Sequence, residues 1–303
     1  MPSRIDVEFT RETHRYCFCA DGHYVSFIVP AVESIAKSIE PGRQFCVDII
    51  VDQTPARETL AQLEDLCPAG VTVHVIDPSQ FKDLLEVTHI SRGMYYRLLI
   101  PELVQADRVL YLDCDVLVRR SLSPLFQTDM QHMLAAAVVN PFYDAARLSI
   151  SKQERYFNSG VMLINCAEWR AQGIKGKVLD YLRGHTDLLM MPDQDALNVV
   201  LKGRWVELDP TYNCQVSMLL RYRELSSELG SRWTVDFLRD PAIMHFSSAH
   251  KQWHHSSRII YSREYQKLST HLMSTRRGKV LDFLIGKIRQ LRIAIWHSNP
   301  FFY

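Results

Sequence analysis

Val109-Leu110-Tyr111-Leu112-Asp113-Cys114-Asp115-Val116-Leu117-Val118 places two carboxylates inside an otherwise apolar run. Carboxylates are rarely buried without partners, because the ionised form loses its water. Residues 109–112 read as a strand, with Asp113 and Asp115 at its carboxyl end. Taken alone, the pair fits two readings. It is a strand end with both acids toward solvent, or a divalent-metal site with open positions for phosphate oxygens.

Upstream of that run, residues 15–20 read as a short buried strand, broken by Asp21-Gly22-His23. Phe27, Ala31, Ile35 and Ile39 then recur at helical spacing until Pro41-Gly42. Residues 45–51 and 71–76 predict further strands, with a helix over 55–66 between them. Residues 95–103 predict a helix that Pro101 should end or kink. Strand alternating with helix implies parallel pairing with crossover helices, hence an α/β fold. In such sheets ligands sit beyond the carboxyl ends of the strands. Two of those ends carry acid: Asp21, and Asp113 with Asp115.

Downstream, 134–139 and 157–164 predict strands, 167–182 and 194–201 helices, and 242–246 a short strand ending near His245. Met190-Met191-Pro192-Asp193-Gln194-Asp195-Ala196-Leu197-Asn198 reads locally as a helix start, with Asp193 as its N-cap and Asp195 in the first turn. His245 ends an apolar strand, and Lys251 follows in a polar loop. An imidazole joined to two carboxylates gives a mixed N/O donor set that suits manganese better than calcium. Arg97 in "MYYRL" reads as a surface helical arginine or a site residue, and Asn158 in "FNSG" as turn chemistry or a ligand contact.

Composition narrows the classes. The 303 residues are 47% hydrophobic and 23% charged, enough for a packed core. Lys plus Arg number 35 against 34 Asp plus Glu, a balance that argues against a nucleic-acid-coating protein. No secretory leader or membrane-spanning stretch is apparent. The seven scattered cysteines, without a CxxC pair, read as reduced buried thiols of a cytosolic protein.

In chain order, Phe18-Cys19-Ala20-Asp21, His89-Ile90-Ser91 with Tyr96-Arg97-Leu98, "YLDCDVLV", "FNSGVMLIN" with Trp169, "PDQDALN" and "MHF…HKQW" resemble glycosyltransferase family 8. The nearest likeness is to bacterial lipopolysaccharide α-galactosyl- and α-glucosyltransferases, over residues 14–255. The resemblance implies a Rossmann-like GT-A fold with a mainly parallel sheet, catalytic over 14–255, with 256–303 as an extension. It also implies a UDP-hexose donor (UDP-galactose or UDP-glucose), manganese with magnesium as a substitute, and retention of configuration.

Carried over by position, Asp113, Asp115 and His245 would hold the metal. Asp21 and Tyr24 would hold the uracil. Arg97, Asn158 and Asp193 would contact the donor sugar, and Lys251 the diphosphate. Gln194 would lie beside the anomeric carbon, opposite the leaving group, its carbonyl dipole stabilising a cationic carbon during front-face attack. Gly22-His23 stands where relatives often carry Asp-Asn, and Ser248 where a glycine is common. Residues 211–240 are expected to help shape the cleft for a lipopolysaccharide-core acceptor.

The tail is distinct. Arg276, Arg277, Lys279, Lys287, Arg289 and Arg292 face one acid, Asp282, and aromatics close the chain at Trp296, Phe301, Phe302 and Tyr303. That pattern predicts an amphipathic helix on an anionic membrane surface, placing the enzyme peripherally on the cytoplasmic face of the inner membrane. Two other readings fit parts of the sequence. A haloacid-dehalogenase-type phosphatase also puts Asp-x-Asp after an apolar strand, but Leu117 occupies the position where it wants Thr or Val. A catalytically silent nucleotide-sugar-binding scaffold sits poorly with Asp113, Asp115, Gln194 and His245 all present.

Overall fold

The computed structural model describes residues 13–22, 24–86, 92–229, 234–248, 251–253, 257 and 259–268. The chain divides into two compact units, Met1–Ser247 and Ser248–Tyr303. The first is built on a seven-stranded sheet and a three-stranded sheet. Strands are numbered in chain order: β1 (His14–Ala20), β2 (Phe45–Val51), β3 (Val71–Val75), β4 (Arg108–Leu112), β5 (Val116–Val118), β6 (Ala135–Val139), β7 (Phe157–Asn165), β8 (Trp205–Glu207), β9 (Cys214–Gln215) and β10 (Ile243–His245).

The large sheet runs β3-β2-β1-β4-β7-β6-β8. β1 to β4 are mutually parallel, as are β6 and β8, while β7 runs against both of its neighbours. One sheet edge therefore collects the carboxyl ends of six strands and the amino end of β7. β1, β2, β4, β6 and β7 are buried along nearly their whole length, as strands covered on both faces must be, and so they read as continuous apolar runs. Alternation along β1 sends Tyr16 and Phe18 into one core layer and Cys17 and Cys19 into the other. All seven cysteines are free, and only Cys114 is not buried.

Three local expectations change. The segment containing Arg97 is a 3₁₀ helix, Arg92–Leu99, followed by a short α-helix Ile100–Leu103. Pro101 opens that second helix rather than ending the first, since its missing N–H lies in the turn that needs none. The helix expected over 167–182 is two helices, Cys166–Gln172 and Ile174–Gly184, hinged at Gly173 with φ +61°. The N-cap of helix Pro192–Val200 is Met191, so Asp193 lies inside the first turn. In the second unit the helix Ser262–Leu268 sets Tyr265 against Trp253, ring centroids 6.3 Å apart. The 276–303 tail, His23 and the His89-Ile90-Ser91 motif lie outside the described residues.

Candidate active site

Two backbone pairings bring the acids and the imidazole together. Asp113 N donates to Gly160 O at 2.8 Å, pinning the end of β4 to β7. β10 pairs antiparallel with β5, setting His245 opposite Val116, and Phe246 N donates to Asp115 O at 2.9 Å. One side-chain atom from each of Asp113, Asp115 and His245 consequently lies within 4.8 Å of the others. His245 Nε2 is 3.2 Å from Asp115 Oδ1 and 3.7 Å from Asp113 Oδ2.

The orientation of that imidazole follows from a single backbone N–H. Gly160 N donates to Asn158 Oδ1 at 3.1 Å, which identifies that atom as the amide oxygen. Asn213 Nδ2 must then be the group that donates to Asn158 Oδ1 at 2.9 Å. Asn213 Oδ1 is left to accept from His245 Nδ1–H, also at 2.9 Å. His245 Nε2 is therefore the ring nitrogen that faces the two carboxylates. In the neutral ring its lone pair completes an O/O/N set that suits a borderline divalent ion.

Space for a cation depends on Gly160. A Cβ there would lie 2.3 Å from His245 Cε1 and 2.5 Å from Asp113 Oδ2. The residues thus fit a small divalent ion, and any side chain at position 160 would displace two of its three ligands.

Arg97 is buried rather than on the surface, and it ties Asp113 to the sugar side of the site. Its Nη2 donates to Asp113 Oδ1 at 3.0 Å, Nη1 to Ser159 O at 2.7 Å and to Ser159 Oγ at 2.9 Å, and Nε to Met94 O at 3.0 Å. Nε also lies 3.4 Å from Asp193 Oδ2. The Tyr111 hydroxyl donates to the same Asp113 Oδ1, and the Arg97 guanidinium lies 4.5 Å from the Tyr111 ring centroid. Burial alone would lower the pKa of Arg97, but Tyr111, Asp113 and Asp193 outweigh it and hold the guanidinium charged. Burial raises the Asp193 carboxyl, with Asp113 adding to the shift and Arg97 opposing it.

Gln194 is buried with its amide fixed. Ser159 N donates to Oε1 at 3.0 Å and Asn158 Nδ2 at 3.1 Å, while Gln194 Nε2 donates to Tyr156 Oη at 3.1 Å. The carbonyl oxygen expected to face an anomeric carbon thus already serves two donors. Asp195, fully buried, accepts from Tyr143 Oη, Tyr156 Oη, Arg147 Nη2, Met190 N and Met191 N at 2.6–2.9 Å. It anchors the helix start. Asp21 and Tyr24 sit together at the carboxyl end of β1, where Tyr24 N donates to Asp21 O at 2.9 Å. The side chain of Gln53 occupies the space that a Cβ at Gly22 would need. Lys251 falls in the second unit.

Sequence reading singled out neither Gly160 nor Asn213. A glycine inside a strand marks a close approach of another group, so Gly160 carried a signal. Nothing local distinguishes Asn213, which acts through two residues remote in the chain.

Residues 16–257 match the model of glycosyl transferase family 8. The chain belongs to that family. This family 8 member is 30% identical to General stress protein A of Bacillus subtilis over 82% of its own length and 90% of that protein. It is 31% identical to a lipopolysaccharide 1,2-glucosyltransferase of Escherichia coli, over 80% of this chain and 74% of that one. Among solved structures it resembles the galactosyltransferase LgtC in complex with donor and acceptor sugar analogues. There the TM-score is 0.75 at 24% identity, covering 88% of this chain and 99% of that one. The family 8 chain is thus a glycosyltransferase with a GT-A fold, and the phosphatase reading falls away.

Proposed function

We propose that this family 8 member is a retaining hexosyltransferase moving glucose or galactose from a UDP-sugar to a hydroxyl of a lipopolysaccharide core. Asp113, Asp115 and His245 would hold manganese, with magnesium as a substitute. The observation that carries this reading is the convergence of those side chains, with His245 Nε2 turned inward, at the carboxyl edge of the sheet. The lipopolysaccharide acceptor rests on the named activity of the Escherichia coli relative.

When bound, the cation supplies Lewis-acid stabilisation of the leaving diphosphate. The protein's own groups do the rest. Arg97 fixes Asp113 and keeps positive charge beside Asp193. Asp193, Asn158 and Arg97 offer donors and acceptors for sugar hydroxyls, and Asp21 with Tyr24 a place for the base. Gln194 is an amide and a poor covalent nucleophile, and Asp195 is spent on five hydrogen bonds. Both facts favour front-face attack, the departing phosphate oxygen taking the acceptor's proton while the Gln194 dipole is held in place. A trapped glycosyl adduct on Asp193 or Asp195 would overturn that mechanism.

The expected result is manganese-dependent UDP release from UDP-glucose or UDP-galactose, reduced at least about 10³-fold in Asp113→Asn. Release that persists in this variant would remove the reading.

Attachment to an anionic membrane is a proposal from the 276–303 sequence, which carries six basic side chains against one acid. Among the described residues no helix is long and apolar enough to cross a membrane. Salt-sensitive flotation with anionic liposomes should disappear on truncation after residue 275, and its survival would refute attachment through the tail.

A further inference from the structure

Tyr156 stands directly before β7, and Asn198 fixes its height against the helix Pro192–Val200. Asn198 Oδ1 accepts from Phe157 N at 2.7 Å, and Asn198 Nδ2 donates to Phe157 O at 2.9 Å. Gln194 lies one helical turn before Asn198, on the same face of that helix. Strand start and helix start are thereby locked in register, with the Tyr156 hydroxyl against the Gln194 amide. Tyr143 stacks on the Tyr156 ring, centroids 4.3 Å apart and planes 22° from parallel, and so holds the plane of the phenol.

Proton directions along this contact follow from one backbone donor. Ser159 N–H can only donate, so the Gln194 atom it meets at 3.0 Å is the carbonyl oxygen. The amide NH2 is then the group that faces Tyr156 Oη at 3.1 Å, and it too can only donate. The single phenolic proton of Tyr156 is left for Asp195 Oδ1 at 2.6 Å. Burial pushes the pKa of that hydroxyl well up, with Tyr143 and Asp195 adding to the shift, so the proton stays on Tyr156. From Gln194 through Tyr156 to Asp195 both hydrogen bonds therefore point the same way.

We infer that Tyr156 is a positioning residue for hexosyl transfer, holding the Gln194 amide from behind and aligning it with hydrogen bonds that end on Asp195. The inference rests on the proposed reaction. Hydrogen bonds in a chain polarise one another. Each proton drawn toward Asp195 moves electron density toward Gln194 Oε1, the atom expected to face the anomeric carbon. Arg147 Nη2 lies 2.7 Å from Asp195 Oδ2 and balances its charge, so what reaches Gln194 is orientation and polarisation. Tyr143 supplies a control within the same cluster. Its hydroxyl donates to the same Asp195 Oδ1 at 2.9 Å, but its oxygen accepts from Arg147 rather than from Gln194. It shares the anchoring of Asp195 with Tyr156 and lacks the contact with the amide.

Manganese-dependent UDP release to water, measured on the full chain without acceptor, separates positioning from anchoring. Tyr156→Phe keeps the ring and removes the hydroxyl. It should lower kcat about tenfold, the worth of one buried hydrogen bond, with KM for the UDP-sugar within about twofold of wild type. Tyr143→Phe should stay within about twofold in both, with circular dichroism confirming that both variants fold. An unchanged kcat in Tyr156→Phe, or a loss matched by Tyr143→Phe, overturns the assignment. A second measurement needs no turnover. In the 15N-labelled chain the Gln194 side-chain amide signal, identified by its absence from Gln194→Ala, should move in Tyr156→Phe and hold in Tyr143→Phe. A Gln194 signal unmoved by Tyr156→Phe overturns the contact itself. If wild type releases no UDP from UDP-glucose or UDP-galactose, it is the hexosyltransferase reading that fails, and the amide signal then decides whether Tyr156 holds Gln194.

Discussion

Two buried groupings in this protein use the same ingredients to opposite ends. At Asp48, in the middle of β2, one carboxylate is capped on both oxygens. Arg15 Nη1 lies 3.2 Å from Oδ2 and His74 Nε2 2.8 Å from Oδ1. At the carboxyl edge, Arg97 pairs with Asp113, and both Asp113 and Asp115 lie beside one imidazole whose Nδ1–H is taken up by Asn213 Oδ1, leaving Nε2 facing the acids. The first grouping is complete in itself. The second brings two carboxylates and an imidazole together at the sheet edge, an O/O/N donor set of the kind that holds a divalent ion. Acid, arginine and histidine in proximity say little, and the ratio among them says much.

Substitution separates the two. Asp113→Asn should give the largest effect, the loss of at least about 10³-fold in UDP release already described. The melting temperature should change little, because the asparagine oxygen still accepts from Arg97 and from Tyr111. Asp48→Ala should reverse the pattern. Removing one partner of a buried ion pair leaves charge uncompensated and costs roughly 3 kcal/mol of folding stability, measurable by urea denaturation. UDP release per folded molecule should stay within about twofold of wild type, since Asp48 makes no contact with the edge cluster. A stable, inactive Asp48→Ala protein would erase the distinction.

The contrast also shows where sequence reading stops. An acid within an apolar run marks Asp48 in "FCVDIIV" as plainly as Asp113 in "YLDCDVLV". The strands, the mainly parallel sheet and the two acidic strand ends were legible, because period, run length and Gly/Pro punctuation are local properties. So were the segments carrying Asp113, Asp115, His245 and "PDQD". What could not be read is which partners arrive from other strands. Arg97 looked equally suited to solvent until its 3₁₀ turn proved buried against Ser159. Likewise β5, β9 and the pairing that sets His245 beside Asp115 are too short to show any period.

Asn213 gives the smallest effect and the sharpest test of the tautomer argument. Its side chain touches no carboxylate of the cluster, and the strand that follows it, β9, is two residues long. Its amide alone tells His245 which nitrogen carries the proton. Asn213→Ala should therefore lower manganese affinity by about 10- to 100-fold, as loss of a partner that orients a metal-bound imidazole does, read by calorimetric titration without any substrate. Asn213→Asp offers the internal control. A carboxylate still accepts from His245 Nδ1–H but cannot donate to Asn158 Oδ1, so manganese affinity should return toward wild type while UDP release stays impaired through Asn158 and Gln194. Equal manganese affinity in wild type and Asn213→Ala would mean that the imidazole needs no such instruction, and that the edge cluster differs from the Asp48 grouping in charge alone.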